Sequence, residues 1–158
     1  MTTIAYKDDV IAYDSRACAG DLITSDCYDK HIVRDDVHFF LAGCVSDHEI
    51  LIDAYFANDR TGLQIADAGS ILVDSGEVFY FSCDKIDGYW KQPLKGYPSF
   101  AIGSGNHFAL TAMDLGCDAA EAVRAAAKRD VSTGGEINIY EVNSKAACNG
   151  QTLDTARG

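Results

Sequence analysis

The chain has 158 residues, 24 acidic and 13 basic side chains, and a net charge of −11. That length fits one domain over residues 1–158, able to bury roughly 68–70% of its unfolded surface. The acidic balance disfavours phosphate backbones, and no apolar run approaches the roughly 18–20 residues of a membrane span. Nucleic acid and membrane are therefore excluded as expected partners.

In chain order, residues 3–6 and 10–13 read as a hairpin around Lys7-Asp8-Asp9. Residues 22–25, 31–34 and 37–42 read as strands, and Gly43 breaks the last of them. Ser46 with Glu49 is a capping-box signature, and Ile50, Leu51, Ala54 and Tyr55 then share one helical face. Segment 59–62 ends that helix. Residues 70–74 and 77–82 read as strands about Ser75-Gly76, a turn dipeptide. Segment 85–98 holds both prolines and the only tryptophan, and reads as a surface loop with an aromatic anchor.

Residues 100–102 form a strand running into Gly103-Ser104-Gly105. The next helix sets Phe108, Ala112 and Leu115 on one face and closes at Gly116. Asp118 and Glu121 make a second capping box, ahead of a small-residue face of Ala119, Ala122, Val123 and Ala126 suited to packing on a sheet. Thr133-Gly134-Gly135 is a turn, residues 136–142 alternate as a strand, and residues 143–158 read as a loosely held tail. Runs of strands set apart from runs of helices argue an α+β class.

Six cysteines (Cys18, Cys27, Cys44, Cys83, Cys117, Cys148) show no CxxC spacing. They read as reduced thiols of a cytoplasmic chain, most of them small core hydrophobes. His31, His38, His48 and His107 lack ligand spacing and read as structural, so no metal is expected. The first residues have no basic stretch followed by an apolar one, so no signal peptide is expected.

Four clusters carry a further signal: Thr2-Thr3; Asp14-Ser15-Arg16-Ala17-Cys18-Ala19-Gly20 with Lys30; Leu41-Ala42-Gly43; and Gly103-Ser104-Gly105 with Arg129-Asp130 and Gly134-Gly135. In this order they resemble the proteasome β-subunit family and its HslV branch, the N-terminal nucleophile hydrolases. The resemblance covers residues 2–55 and 99–142. It implies a four-layer αββα sandwich of two stacked antiparallel sheets. One of the usual helices is missing, because only residues 60–69 separate the first helix from the next strand. Its loss is expected to bare apolar sheet surface, unless a neighbouring subunit or the 85–98 segment covers it.

The resemblance also implies an activity and a site. Thr2, freed of Met1, is the expected nucleophile, with its own α-amine as base. Lys30 is expected beside the Thr2 hydroxyl, kept charged by Asp14. Gly43 is expected to offer its N–H to an oxyanion. Ser104, Asp130 and Thr133 form a hydrogen-bond ring around the terminal amine; Thr133 stands where the family usually has serine. Ala17, Tyr28, Leu41 and Val45 match pocket-lining positions and imply an apolar substrate pocket. The implied protein is a threonine peptidase that needs no cofactor and assembles with itself as a ring or other homo-oligomer. Its implied substrate is a peptide or unfolded protein, and an ATP-dependent unfoldase partner follows by analogy only. The alternatives are a non-catalytic assembly protein on the same fold and an amidase acting on a small molecule.

Overall fold

Two antiparallel sheets face one another across an apolar interior, in a computed structural model that describes residues 1–142. The segment read as a tail, and Cys148 with it, lies outside those residues. The strands are β1 (Thr3–Lys7), β2 (Val10–Tyr13), β3 (Ala17–Ala19), β4 (Leu22–Ser25), β5 (His31–Arg34), β6 (Val37–Gly43), β7 (Ala68–Asp74), β8 (Glu77–Asp84), β9 (Gly88–Pro93), β10 (Ser99–Gly103) and β11 (Asn138–Glu141). The helices are α1 (His48–Ala57), α2 (Asn106–Asp114) and α3 (Ala119–Ala127). One sheet runs β10-β1-β2-β11, the other β5-β6-β7-β8-β9, and β3 pairs with β4 as a separate hairpin.

The hairpins follow local chemistry. Asp8 and Asp9 both take positive φ, as do Asp35 and Asp36 between β5 and β6. Two such residues in a row give the tight turn whose twist matches the flanking strands, and aspartate tolerates that backbone better than most side chains.

Three apolar layers hold the sheets and helices. Between the sheets, Ile4, Tyr6 and Ile11 meet Phe40, Ile71, Val73 and Leu94. Outside the first sheet, Ala5, Ala12 and Ala101 lie against Ala109, Ala122, Val123 and Ala126 of α2 and α3. Alanine on both sides lets helix backbones approach the sheet closely. Outside the second sheet, Phe39, Leu41, Leu72 and Phe81 pack on Leu51, Ile52 and Ala54 of α1. The result is an α+β, αββα sandwich with, among the described residues, two helices on one outer face and a single helix on the other.

Among the described residues no second helix lies on the outer face of the second sheet, and segment 85–98 adds a strand to that sheet's edge. Segment 85–98 is not the surface loop its prolines suggested, because β9 within it pairs along β8. Pro93 sits at the end of an edge strand, where its absent N–H breaks no ladder. The outward residues of β9 cover the bared surface: Lys91 Nζ lies 4.4 Å from the Phe79 ring centroid and 4.8 Å from that of Tyr55. Arg60 stacks over Tyr89, whose hydroxyl donates to Asn58 Oδ1 at 3.1 Å.

Other local expectations are corrected. Ser46 and Glu49 form no capping box: a 3₁₀ turn over Val45–Asp47 precedes α1, and Glu49 pairs with Arg34 instead. Ile50 is partly exposed, and α1 buries His48, Leu51, Ile52 and Ala54. Helix α2 turns Ala109, Ala112 and Met113 inward and leaves Phe108 and Leu115 in solvent, since only the smaller set fits the alanine-lined sheet. The Asp118–Glu121 box is formed in both directions. Of the described cysteines, all free thiols, only Cys83 is buried; the expectation of mostly core cysteines does not hold.

Candidate active site

The start of β1 brings Thr2 into the gap at one end of the sandwich. Thr2 is buried, as are Asp14 and Lys30. Asp14 follows the end of β2, antiparallel to β1, so the pairing of Ile4 with Tyr13 carries it back beside Thr2. Lys30 immediately precedes β5, and its carbonyl accepts from Leu41 N at 2.9 Å, which extends the β5–β6 pairing back to it. Three stretches of chain thus aim three side chains at one point.

Their contacts are close. Lys30 Nζ donates to Asp14 Oδ1 at 2.6 Å and also to Thr2 Oγ1, while the Thr2 hydroxyl donates to Asp14 Oδ1. Asp14 is fully engaged: Oδ1 also accepts from Thr3 N at 3.1 Å, and Oδ2 accepts from Arg16 N at 3.2 Å and Gly134 N at 2.9 Å. A buried carboxylate costs little only when its lone pairs are met in this way. Burial pulls the Lys30 ammonium below the ordinary lysine range, and the charge and hydrogen bond of Asp14 oppose that shift.

On the other side of Thr2, Ser104 Oγ donates to Asp130 Oδ2 at 2.6 Å and lies 3.4 Å from the Thr2 carbonyl oxygen. Thr133 Oγ1 donates to the same Asp130 oxygen at 2.6 Å and shares a 2.6 Å contact with Thr3 Oγ1. Burial raises Asp130, but these hydroxyls and the Ser132 N–H outweigh it and hold the carboxyl below its usual range. The ring therefore meets the backbone of Thr2 at its carbonyl and the side chain of Thr3.

Glycine is required at Gly43 and Gly103. Gly43 ends β6 at φ +97°, and a Cβ there would lie 2.5 Å from the Asp67 carbonyl oxygen. Gly103 has φ +94° and presses on the Thr2 carbonyl. Gly103 thus approaches Thr2, and Gly43 the Asp67–Ala68 backbone, where no side chain would fit.

A cavity of about 470 Å³ opens beside Thr2, Lys30 and Gly43, and Ala17, Tyr28, Leu41 and Val45 all line it. Sequence reasoning missed Asp67, which lines the same cavity from a stretch read only as a connector. It also missed the Arg16–Asp26 clamp, whose guanidinium Nε lies 2.8 Å from Asp26 Oδ1 and whose Nη1 reaches Val131 O at 3.1 Å. The Asp14-Ser15-Arg16 motif contained that arginine but gave no sign of its partner. Among the described residues no group of His, Cys, Asp or Glu side chains is arranged to hold a metal, and no helix is long and apolar enough to cross a membrane.

Solved structures share this architecture. Thiobacillus denitrificans BPH in complex with epoxomicin matches with a TM-score of 0.67 and 19% identity, over 88% of this chain and 96% of that one. HslV from Trypanosoma brucei matches at 0.63 and 19%, over 88% and 97%. Thiobacillus denitrificans BPH without that qualification matches at 0.63 and 21%, over 88% and 95%. No protein-family model and no curated protein matches the chain. The chain therefore has the fold of HslV-type subunits, as its sequence resemblance implied.

Proposed function

We propose that this chain is a threonine peptidase whose nucleophile is Thr2 once Met1 is removed. The observation that carries the reading is the buried contact of the Thr2 hydroxyl with Lys30 and Asp14. With Met1 attached the Thr2 nitrogen is an amide and no base; cleavage frees an α-amine of ordinary pKa near 7.7–8.0. That amine takes the hydroxyl proton as Oγ attacks the scissile carbonyl, and Lys30 steadies the developing charge on oxygen. The Gly43 N–H donates to the oxyanion, a contribution of about 2.7–4 kcal/mol for one such donor. Collapse expels the amine, which leaves with the proton, and water then cleaves the Thr2 ester. Ser104, Asp130 and Thr133 orient the terminal residue.

Ala17, Tyr28, Leu41 and Val45 give the acyl side of the cavity an apolar lining, which favours cleavage after hydrophobic residues. Self-assembly into a ring or other homo-oligomer fits the solvent-facing Leu22 and Ile23 of β4, 67% and 48% exposed, and Val131, 82% exposed. An ATP-driven unfoldase would deliver unfolded protein to such a chamber, by analogy of fold. The free thiols fit a reducing, cytoplasmic setting.

The test joins N-terminal mass to hydrolysis of a hydrophobic fluorogenic peptide. The expected result is a chain beginning at Thr2, activity lost in both Thr2→Ala and Lys30→Ala with assembly unchanged, and inhibition by epoxomicin, which the Thiobacillus denitrificans protein holds. Equal activity in wild type and Thr2→Ala removes Thr2 as nucleophile; retention of Met1 in the native host removes the peptidase reading and favours an assembly role.

A further inference from the structure

A second cavity, of about 360 Å³, adjoins the first at residue 1. Met1, Gly43 and Asp67 line both, Thr2 lines the first, and Gly103 and Ser104, which touch the Thr2 carbonyl, line the second. The second is bounded by Asp67, Tyr80, Asp84 and Ser104, and none of its lining residues is a lysine or arginine. A neighbouring cavity of about 410 Å³ shares Asp67 and Asp84, adds Asp47, and has Lys85 as its one lining cation. Among the lining side chains, carboxylates thus outnumber cations along this side.

Two details show a prepared surface. Asp84 Oδ1 accepts from the N–H groups of Ile86 and Asp87 at 2.8 and 2.7 Å, which fixes the carboxylate at the end of β8. Ser82 stands between Tyr80 and Asp84 on the same face of β8, since alternate strand residues share a face. Its Oγ is buried and has no hydrogen-bond partner among the described residues. Ser82 is not itself among the lining residues, but it lies between two that are, and an unmet buried hydroxyl is a polar group awaiting a donor or acceptor.

We propose that this second cavity receives the residue on the leaving-amine side of the scissile bond and selects a basic side chain there through Asp67 and Asp84. The proposal rests on the peptidase reading above, which gives the first, apolar cavity to the acyl side. Removal of Met1 joins the two cavities across Thr2, so a peptide lying over the hydroxyl enters both. A lysine or arginine on the amine side brings its charge to the two carboxylates, Asp67 and Asp84, that line the cavity. A glutamate there meets two carboxylates as like charge, with no lysine or arginine on the wall and the terminal amine as the nearby cation, which is discrimination by repulsion as well as attraction.

The test measures binding and turnover separately. Two fluorescent peptides share a hydrophobic residue before the scissile bond and differ only in lysine or glutamate after it. Their binding to the Met1-free Thr2→Ala chain is read by anisotropy. The lysine peptide is expected to bind roughly five- to tenfold more tightly, as two partly exposed charge pairs allow, with the ratio shrinking at high salt. The ratio is expected to fall toward one in Asp67→Asn with Asp84→Asn. Asp67→Asn alone, at an exposed residue, is expected to lower it part of the way and serves if the double variant fails to fold. Equal binding of the two peptides, or a lysine preference that survives the asparagine substitutions, overturns the subsite. Turnover of the same peptides by the wild-type chain decides the peptidase reading on its own: cleavage without preference leaves that reading standing and removes only this one.

Discussion

Lys30 Nζ lies 2.6 Å from Asp14 Oδ1, with both side chains buried, and Thr2 Oγ1 touches both. A buried pair of this kind contributes little net stability, yet losing one partner is costly because the other charge stays behind. Lys30→Met alone, or Asp14→Asn alone, is therefore expected to cost about 3–5 kcal/mol. Pairing Lys30→Met with Asp14→Asn is expected to recover part of that loss. Urea unfolding of the two single variants and the double reads the coupling; strict additivity would show that the pair does not act as a unit. Each variant is also expected to lose about 10²–10⁴-fold of any peptidase activity, since the hydroxyl loses its charged neighbour.

Gly43→Ala is expected to damage both stability and the site. The position has φ +97°, and an added Cβ meets the Asp67 carbonyl oxygen at 2.5 Å. The backbone conformation alone costs of order 1–3 kcal/mol for a non-glycine residue. The thermal midpoint is expected to fall, with hydrolysis lost beyond what the lower folded fraction explains. Unchanged midpoint and activity would place Gly43 outside this contact.

His48 predicts an acid-side weakening. Burial drives its imidazole below the ordinary range, and nearby Lys30 and the chain N-terminus push the same way, while Asp47 and Glu49 oppose. The folded chain thus holds a neutral ring that the unfolded chain protonates. Stability is full above the unfolded value of about 6.5 and declines as pH falls from there toward the folded value, by at most about 1.4 kcal/mol per pH unit. His48→Leu is expected to remove that part of the slope, and its Nε2 has no hydrogen-bond partner to lose among the described residues. Parallel stability–pH curves for wild type and variant would refute the assignment.

Lys91 is expected to matter more than an exposed lysine usually does. Its ammonium lies over the rings of Phe79 and Tyr55, on the outer face of the second sheet. Lys91→Ala is expected to lower stability by about 0.5–1 kcal/mol and Lys91→Glu by more, read as a shift of the urea midpoint. A midpoint unmoved by both would assign the cover to Tyr89 and Arg60 alone.

Much of this was legible along the chain where the cause is local. The Asp8-Asp9 and Ser75-Gly76 turns, the Asp118–Glu121 box and the alternation of the strands each depend on residues a few positions apart. Local rules failed where a distant partner claimed the side chain: Glu49 turned to Arg34, and Phe108 was turned outward by an alanine-lined sheet. Segment 85–98 misled because proline reads as a breaker, whereas an edge strand leaves Pro93 harmless.

The residue types of the candidate site were fixed by sequence alone: a threonine behind Met1, an Asp-Ser-Arg segment, a lysine, and glycines where backbone must come close. Their convergence was not. Thr2 meets Ser104, and Asp14 meets the Gly134 N–H, only because sheet pairing returns residues more than a hundred positions apart to one end of the sandwich. The chain spacing of such residues carries no distance, and pairing between strands supplies it. The same reason hides Asp67: nothing around it in sequence marks it, and its place beside Gly43 exists only once β6 and β7 are side by side.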